Sequence, residues 1–410
     1  MARKKIVLQI NAVYEQGSTG GIVKDISNAA VMHGWNSYIA CPQKISNDTK
    51  EKYIIRIGNS LDHKIHSFGS RLFGLHGYFS KIATLLFLKK LNEIKPDVIH
   101  IHNIHSNYIN VNMLFRYINK KQIPTIVSLH DCWFFTGKCY HYMYDGCERW
   151  KYGCGHCPRL KKEIPSFFFD FTRKVLKDKK KYIGNNPFVF VVGVSEWVTG
   201  EAKKSVLKDR VYGTRHNGVD INIFSKKASY LRRDLKLEDK FVILGMANKW
   251  LSSDNVDTLK FVTENIDDES TLVLLGCKDS TNLSDRVLGI PFITDREQLA
   301  QYYSMADVFV NVTKVDTLPT VNIEALACGT PVITYDSGGS AEIINYRTGE
   351  VVQYGDYKAL FHSIEKIKKN GKEYYSSSCI ERSHSLFDCQ KCYEDYIVLY
   401  NLLLNHSITL

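Results

Sequence analysis

Apolar and polar positions along this chain alternate between two rhythms. KKIVLQI (4–10) is a short β-branched run, NAVYEQGSTGG (11–21) a polar, glycine-bearing turn, and IVKDISNAAVMHG (22–34) spaces its apolar residues at helical intervals before a second strand pattern, NSYIACP (36–42). Residues 60–95, aromatic and aliphatic beside lysines, read as helical, either a core helix or one resting on a membrane surface. The runs DVIHIHN (97–103), PTIVSLHD (124–131) and PFVFVVGVSEWV (187–198) read as further strands, the last ending at Ser195. The second half repeats the alternation. KFVILGMA, STLVLLGC and DVFVNVT predict strands, VDTLKFVTENI and REQLAQYYSMA the helices between them, TGEVVQYGD a short closing strand, and YKALFHSIEKIKKN and YEDYIVLYNLLL the last helices. Such alternation predicts an α/β chain with two doubly wound domains.

The chain has 410 residues, enough for two domains that each bury a core. Its charged and hydrophobic fractions, 24% and 44%, are those of an ordinary globular protein and exclude long disorder. No apolar run is long enough to span a membrane and MARKKIVLQI lacks a signal-peptide core, so a cytoplasmic protein is expected. The net charge of +11 is concentrated in the first half, at Lys161-Lys162, Lys177 to Lys181 and Lys203-Lys204. That half suits the inner membrane surface, and a solvated basic face explains the charge equally. No motif interleaves arginine with aromatics, so no nucleic acid partner is expected.

The densest chemistry lies in DTLPTVNIEALACGTPVITYDSGGSAEII (316–344). Asp316 precedes a predicted helix, TVNIEALA, whose middle holds Glu324, and the N–H groups that open a helix favour anions. The strings LPT, EALACGTPV and SGGSAE resemble the nucleotide-sugar site of retaining glycosyltransferases of the two-domain GT-B fold, family 4, whose E-x7-E pair is written here with Asp316 first and Glu324 second. NGVD and Phe224, at Asn217 to Asp220, are similar to that family's string before its domain crossover. HDCWFFTG with the cysteine-rich stretch after it resembles a polysaccharide-type subgroup of the same family.

The resemblance implies a GT-B protein, two Rossmann-like domains facing a central cleft: residues 1–221 with a Cys-rich insert at 132–158, a linker at 222–238, a nucleotide-sugar domain at 239–385, and a C-terminal helix at 386–410 crossing back to the first domain. It assigns the ribose to Glu324, whose carboxylate accepts from both hydroxyls of a diol, and the transferred sugar to Asp316, with Leu318, Pro319 and Thr320 lining the donor. The family places an Arg, then Lys-Gly, after the first strand of this domain. Here Lys249 stands at the Arg position and Asp254-Asn255 where Lys-Gly belongs, so that either Lys249, Ser252 and Ser253 carry the diphosphate or the donor binds weakly.

In the first half the resemblance gives Gly20 and Gly21 to the donor and acceptor loop, although a turn needing positive φ explains them as well. It gives His130 a hydrogen bond to the donor. His100, His102 and His105 are not read as a metal site, since alternation puts His100 and His102 on one sheet face, where histidines are satisfied core groups. Four cysteines, Cys139, Cys147, Cys154 and Cys157, are spaced C-x7-C-x6-C-x2-C and suit one structural zinc, which would stiffen the insert, with four free or redox cysteines as the alternative. Cys389 and Cys392 read as buried thiols. No cofactor is expected for catalysis. The chain is expected to transfer a sugar, with retention, from a nucleotide diphosphate to a lipid-linked saccharide in bacterial surface polysaccharide synthesis. A non-catalytic scaffold is the alternative, and an epimerase of the same fold a further rival.

Overall fold

The computed structural model describes residues 3–43, 53–277 and 284–405. The chain divides into two compact units, residues 1–216 with 393–410, and residues 217–392. The first is built on seven strands: β1 (Ile6–Ile10), β2 (Asn36–Cys41), β3 (Ile54–Arg56), β4 (Val98–Ile101), β5 (Thr125–Leu129), β6 (Val189–Gly193) and β7 (Val211–Thr214). They pair in parallel in the order β3-β2-β1-β4-β5-β6-β7. The second holds β8 (Phe241–Met246), β9 (Ser270–Leu275), β10 (Val287–Ile290), β11 (Val308–Asn311), β12 (Val332–Asp336) and β13 (Gly349–Gln353). These too are parallel, in the order β10-β9-β8-β11-β12-β13. Every residue of β4, β5 and β6 is buried, as strands covered by helices on both faces must be.

Three readings change. Residues 60–95 form two helices, Ser60–Phe73 and Lys81–Ile94, rather than one continuous element. The break is at Gly74, whose φ of 67° ends the first helix and whose missing Cβ leaves room for the Phe169 carbonyl and the Ser166 hydroxyl. Gly20 and Gly21 are not turn residues with positive φ; they lie in the first turns of the helix Gly17–Met32, and Gly17 takes the positive φ of 63°. Strand β10 and the helix Glu373–Leu386 carry no period clear enough to be read beforehand. The stretch 222–238 includes a short helix, Leu231–Asp234, within the second unit.

The first unit buries unusual polar groups. His100 stands fully enclosed on β4, its Nδ1 on the Tyr400 hydroxyl at 2.7 Å and its Nε2 on the Ser128 hydroxyl at 2.8 Å. The helix Cys389–Leu404, which carries Tyr400, thus docks on this sheet through a histidine as well as through Tyr396, Leu399 and Leu403. Burial pushes the His100 and His102 imidazoles well below their usual range, and His130 down to about 4, so all three are neutral at pH 7.

Unfolded, these histidines titrate near 6.5. As the pH falls from there, the unfolded chain binds more protons than the folded one, so their contribution is complete above about pH 6.5 and is lost on acidification. A thermal melt series from about pH 7.5 to about pH 5 should show a falling Tm, and His100→Gln should flatten part of that fall. A Tm independent of pH across this range would contradict the neutral burial.

Candidate active site

In the second unit the strand order reverses between β8 and β11, and at such a switch point the segments leaving the carboxyl ends of neighbouring strands part to leave a crevice. The segment after β8 carries Lys249 in a short helix, Ala247–Trp250; the segment after β11, residues 312–319, carries Asp316. Two side chains pin these segments together. Trp250, fully buried, donates from Nε1 to the Val310 carbonyl at 3.0 Å. Asn255 donates from Nδ2 to the carbonyls of Val312 at 2.8 Å and Lys249 at 3.0 Å.

Asn255 therefore has a structural task where the family pattern has glycine. Asp254 is not a bare negative charge either: its carboxylate lies 3.2 Å from Lys314 Nζ. Lys314, two residues before Asp316, is a cation at the switch point that the sequence reading overlooked, because no motif marks it. Asp316 accepts the N–H of Leu318 at 3.2 Å, which curls the loop toward the helix Thr320–Ala327. Its own carbonyl accepts the N–H of Gly339 at 3.1 Å. Gly338, with a φ of 58°, packs so tightly on that carbonyl that any Cβ would overlap it. Leu318 turns into the core and is 3% exposed, so its side chain is a packing group; Pro319 and Thr320 open the helix.

Glu324 is partly exposed, one turn after Thr320. Its Oε2 accepts the Tyr303 hydroxyl at 2.9 Å, and Thr320 also bonds to it. Burial raises its carboxyl above the usual range, opposed by Tyr303, by Arg296 and by Thr320. Tyr303 and Arg296 are further site residues absent from the sequence reading; they lie on the preceding helix, Arg296–Met305, where only helical period was visible. Asn322 holds the helix in register by accepting from Asn311, the last residue of β11, at 2.8 Å.

The first unit has its own switch point, between β1 and β4. Beyond those strands lie the Gly20-Gly21 segment and His102 to His105, and beyond neighbouring β5 lie His130 and Asp131. Gly20 accommodates the backbone of Tyr14 and Glu15, whereas Gly21 faces open space, where a Cβ would meet nothing within 4 Å. Gln9 Nε2 donates to the Val23 carbonyl at 3.1 Å, which turns its Oε1 toward His102 Nε2, also at 3.1 Å. His102 Nε2 must then carry the proton, its Nδ1 accepts from His130 Nε2 at 3.0 Å, and neutral His130 keeps Nδ1 as an acceptor. His105 is no lone core histidine. Its Nε2 pairs with Asp131 at 2.8 Å, and although burial would raise the Asp131 carboxyl, His105, His141 and the Trp133 N–H hold it below its usual range.

In the insert, Cys139, Cys147, Cys154 and Cys157 line one cavity of about 20 Å³, room for a single water- or ion-sized body. Cys139 and Cys157 bond thiol to thiol, which drives the Cys139 proton affinity up and brings Cys157 down to about 7. As the side chains stand, no group of three or more Cys, His, Asp or Glu among the described residues is placed to hold a metal ion. The insert is fastened instead by buried lysines. Lys138 Nζ donates to the carbonyls of Arg159 and Leu160, each at 2.8 Å, and Lys162 at 3.0 Å. Lys179 donates to the carbonyls of Trp133 and Thr136 and lies 3.5 Å from the centre of the Trp133 ring; burial lowers it to about 7. Cys389 is partly exposed, not buried, and Cys392 is buried.

Comparison with known proteins bears on this arrangement. A protein of Escherichia coli (strain K12) named as a colanic acid biosynthesis glycosyl transferase, WcaC, is 22% identical over 417 residues, covering 97% of this chain and 100% of its own. Sucrose-phosphate synthase from Thermosynechococcus elongatus has the same fold, with a TM-score of 0.70 at 18% identity over 98% of this chain and 100% of that one. So has Anabaena Alr3699/HepE in complex with UDP-glucose, with a TM-score of 0.65 at 13% identity over 97% and 99%. The family described as Glycosyltransferase Family 4 matches residues 21–223, and that described as Glycosyl transferases group 1 matches residues 220–383. Together they run through most of the chain, which belongs to the family 4, group 1 glycosyltransferases of the GT-B fold.

Proposed function

We propose that this glycosyltransferase moves a sugar, with retention of configuration, from a nucleotide diphosphate to a hydroxyl of a lipid-linked saccharide during assembly of a bacterial surface polysaccharide. The observation that carries the donor half of this reading is the convergence of Lys249, Lys314, Asp316 and Glu324 on segments at or beside one switch point. Colanic acid synthesis in the name of the E. coli relative supports the acceptor half.

Each group has a task its surroundings suit. Glu324, steadied by Tyr303, offers its remaining lone pairs to the ribose diol. Lys249 and Lys314 meet the negative charge of the diphosphate as it departs. Asp316, aimed by the Leu318 N–H and the Gly338 contact, orients the sugar and steadies the positive charge that develops at its anomeric carbon. In the first unit, the neutral His130 ring hydrogen-bonds the donor sugar or phosphate. With its pKa at about 4 it is a poor general base at neutral pH, so its role is to position. The open space beside Gly21 leaves that helix start accessible to substrate. We propose as well that the four cysteines hold a structural zinc ion. Their shared, ion-sized cavity supports this, and ligation requires the thiols to turn into it.

Titration calorimetry with UDP- and GDP-sugars should show binding to one nucleotide class. Glu324→Gln should weaken it roughly tenfold, by the loss of a charged hydrogen bond. Since burial raises the Glu324 carboxyl, wild-type affinity should fall on acidification sooner than an exposed glutamate would dictate, and the variant should lack that fall. Equal affinity for both proteins would remove Glu324 from the nucleotide site.

Asp316→Asn should retain nucleotide affinity yet lower kcat by roughly two to three orders of magnitude, whereas Lys249→Met should weaken nucleotide diphosphate binding roughly tenfold or more. Full turnover by the Asn variant would exclude the role given to Asp316. Elemental analysis of the purified chain should find about one zinc. A folded, metal-free preparation would end the zinc proposal.

A further inference from the structure

The helix Ser60–Phe73 is wrong side out for a simple core element. Its inner face is made of His66, Gly69 and Ser70, while Leu61, Ile65 and Phe68, at positions i, i+4 and i+7, are 64%, 58% and 69% exposed. The following helix, Lys81–Ile94, has an ordinary apolar inner face and still exposes apolar side chains on its other side. It buries Ala83, Thr84, Phe87 and Leu91, and presents Ile82, Leu85 and Leu86 to solvent at 72%, 52% and 58%. Phe167, Phe168 and Phe169, all exposed, extend the face from a neighbouring loop.

Contacts join these pieces into one surface. The Phe167 N–H donates to the Arg71 carbonyl at 2.8 Å, and the Phe73 ring stacks on Phe169 with centroids 6.2 Å apart and on Phe79 with centroids 6.4 Å apart. Phe79 leads into the second helix, and His66 of the first bonds to Ser80 at its start at 2.8 Å. An exposed apolar surface this continuous is an interaction site.

Charge decides the partner. Lys64, Arg71, Lys81 and Lys89 are exposed among or beside these apolar side chains, and no ion pair engages them among the described residues. The acids nearby are already committed. Asp62 caps its own helix through the Asn59 N–H, Glu93 pairs with Lys90, Glu163 with Arg159, and Asp170 accepts from Thr172 and from the Cys157 N–H. Aromatic and aliphatic tips ringed by unpaired cations fit a layer that is apolar inside and anionic at its surface. No helix among the described residues is long and apolar enough to cross a membrane, so such contact lies along the surface.

We propose that this face, formed by the two helices and the Phe167–Phe169 loop, docks the enzyme on an anionic phospholipid surface. It deepens the reading of a lipid-linked acceptor and rests on it for its purpose, because a chain held at the bilayer meets such an acceptor in two dimensions. The physical claim stands on the surface alone.

Vesicle co-sedimentation of the full chain tests it. Binding is expected to vesicles containing phosphatidylglycerol, to be roughly tenfold or more weaker to phosphatidylcholine alone, and to decline as salt is raised. The triple variant Ile65→Ser, Phe168→Ser and Leu85→Ser should lose roughly tenfold or more of the binding while keeping its Tm and its nucleotide affinity. Lys64→Glu with Lys89→Glu should lower binding to the anionic vesicles alone. No vesicle binding, or binding that the triple variant retains, overturns the inference. Sedimentation of the free chain as a dimer that the triple variant converts to monomer does so too, since a second copy would then cover the face. Calorimetry on the same proteins separates this outcome from failure of the donor reading.

Discussion

The geometry of the candidate site in the second unit depends on a contact that only glycine permits. Gly338, in the turn after β12, lies against the carbonyl of Asp316 in the turn after β11, and the Gly339 N–H completes the contact by donating to that carbonyl. A Cβ at residue 338 would push the two turns apart and carry Asp316 with them. The neighbouring fastenings work to the same end. Asn311 reaches Asn322, Asn255 reaches Val312, and Trp250 reaches Val310, so three side chains tie the segments at the switch point to the ends of β11. Asp316 itself can remain partly exposed because its backbone is positioned from below. Chemistry at a loop is thus held by groups that never need to touch a ligand.

The first unit solves a different problem, that of burying polar side chains without losing hydrogen bonds. His100 in the sheet and His102 just past its strand are neutral rings with partners at both nitrogens, and the chain from Gln9 through His102 fixes which nitrogen of His130 carries the proton. In the insert, where little regular structure is available, Lys138 and Lys179 gather carbonyls from segments that would otherwise have no common partner. Desolvation lowers the pKa of both, and the carbonyl dipoles offset that cost. These contacts hold the segments on either side of the cysteines, 133–136 and 159–162.

The periodicity of the chain made the two parallel sheets legible because buried parallel strands are near-continuous apolar runs, and Val189–Gly193 and Phe241–Met246 are unmistakable in that respect. It failed where period and burial part company. The run at 60–95 has the composition of a core helix, yet Gly74 divides it and the apolar side of its first half, Leu61, Ile65 and Phe68, faces outward. A helix wheel cannot say which face the rest of the protein covers. The candidate positions of each unit were legible where residues sit at strand ends, as Lys249 and Asp316 do in the second and His130 in the first. Tyr303, Arg296 and Lys314 were illegible, because they reach the second unit's site from positions that carry no motif.

Lys314 also recasts the departure from the family pattern at Asp254-Asn255. Considered alone, an aspartate near a phosphate site repels the ligand. Paired with Lys314 at 3.2 Å, and about two-fifths exposed, it forms an ion pair of the kind worth at most about 1 kcal/mol. A diphosphate carries more charge than one carboxylate and offers more acceptors, so on the proposed reading Lys314 can exchange Asp254 for it at small cost. Until then the carboxylate keeps the lysine ordered near the site, as does the Tyr354 ring 5.6 Å from its ammonium. Asn255, for its part, contributes no charge and no mobility; it joins the two segments on which the cations stand. The sequence trades a cation at one position for a cation on the neighbouring loop and a strut between the two, and on the proposed reading the positive charge that meets the donor is that of Lys249 and Lys314 together.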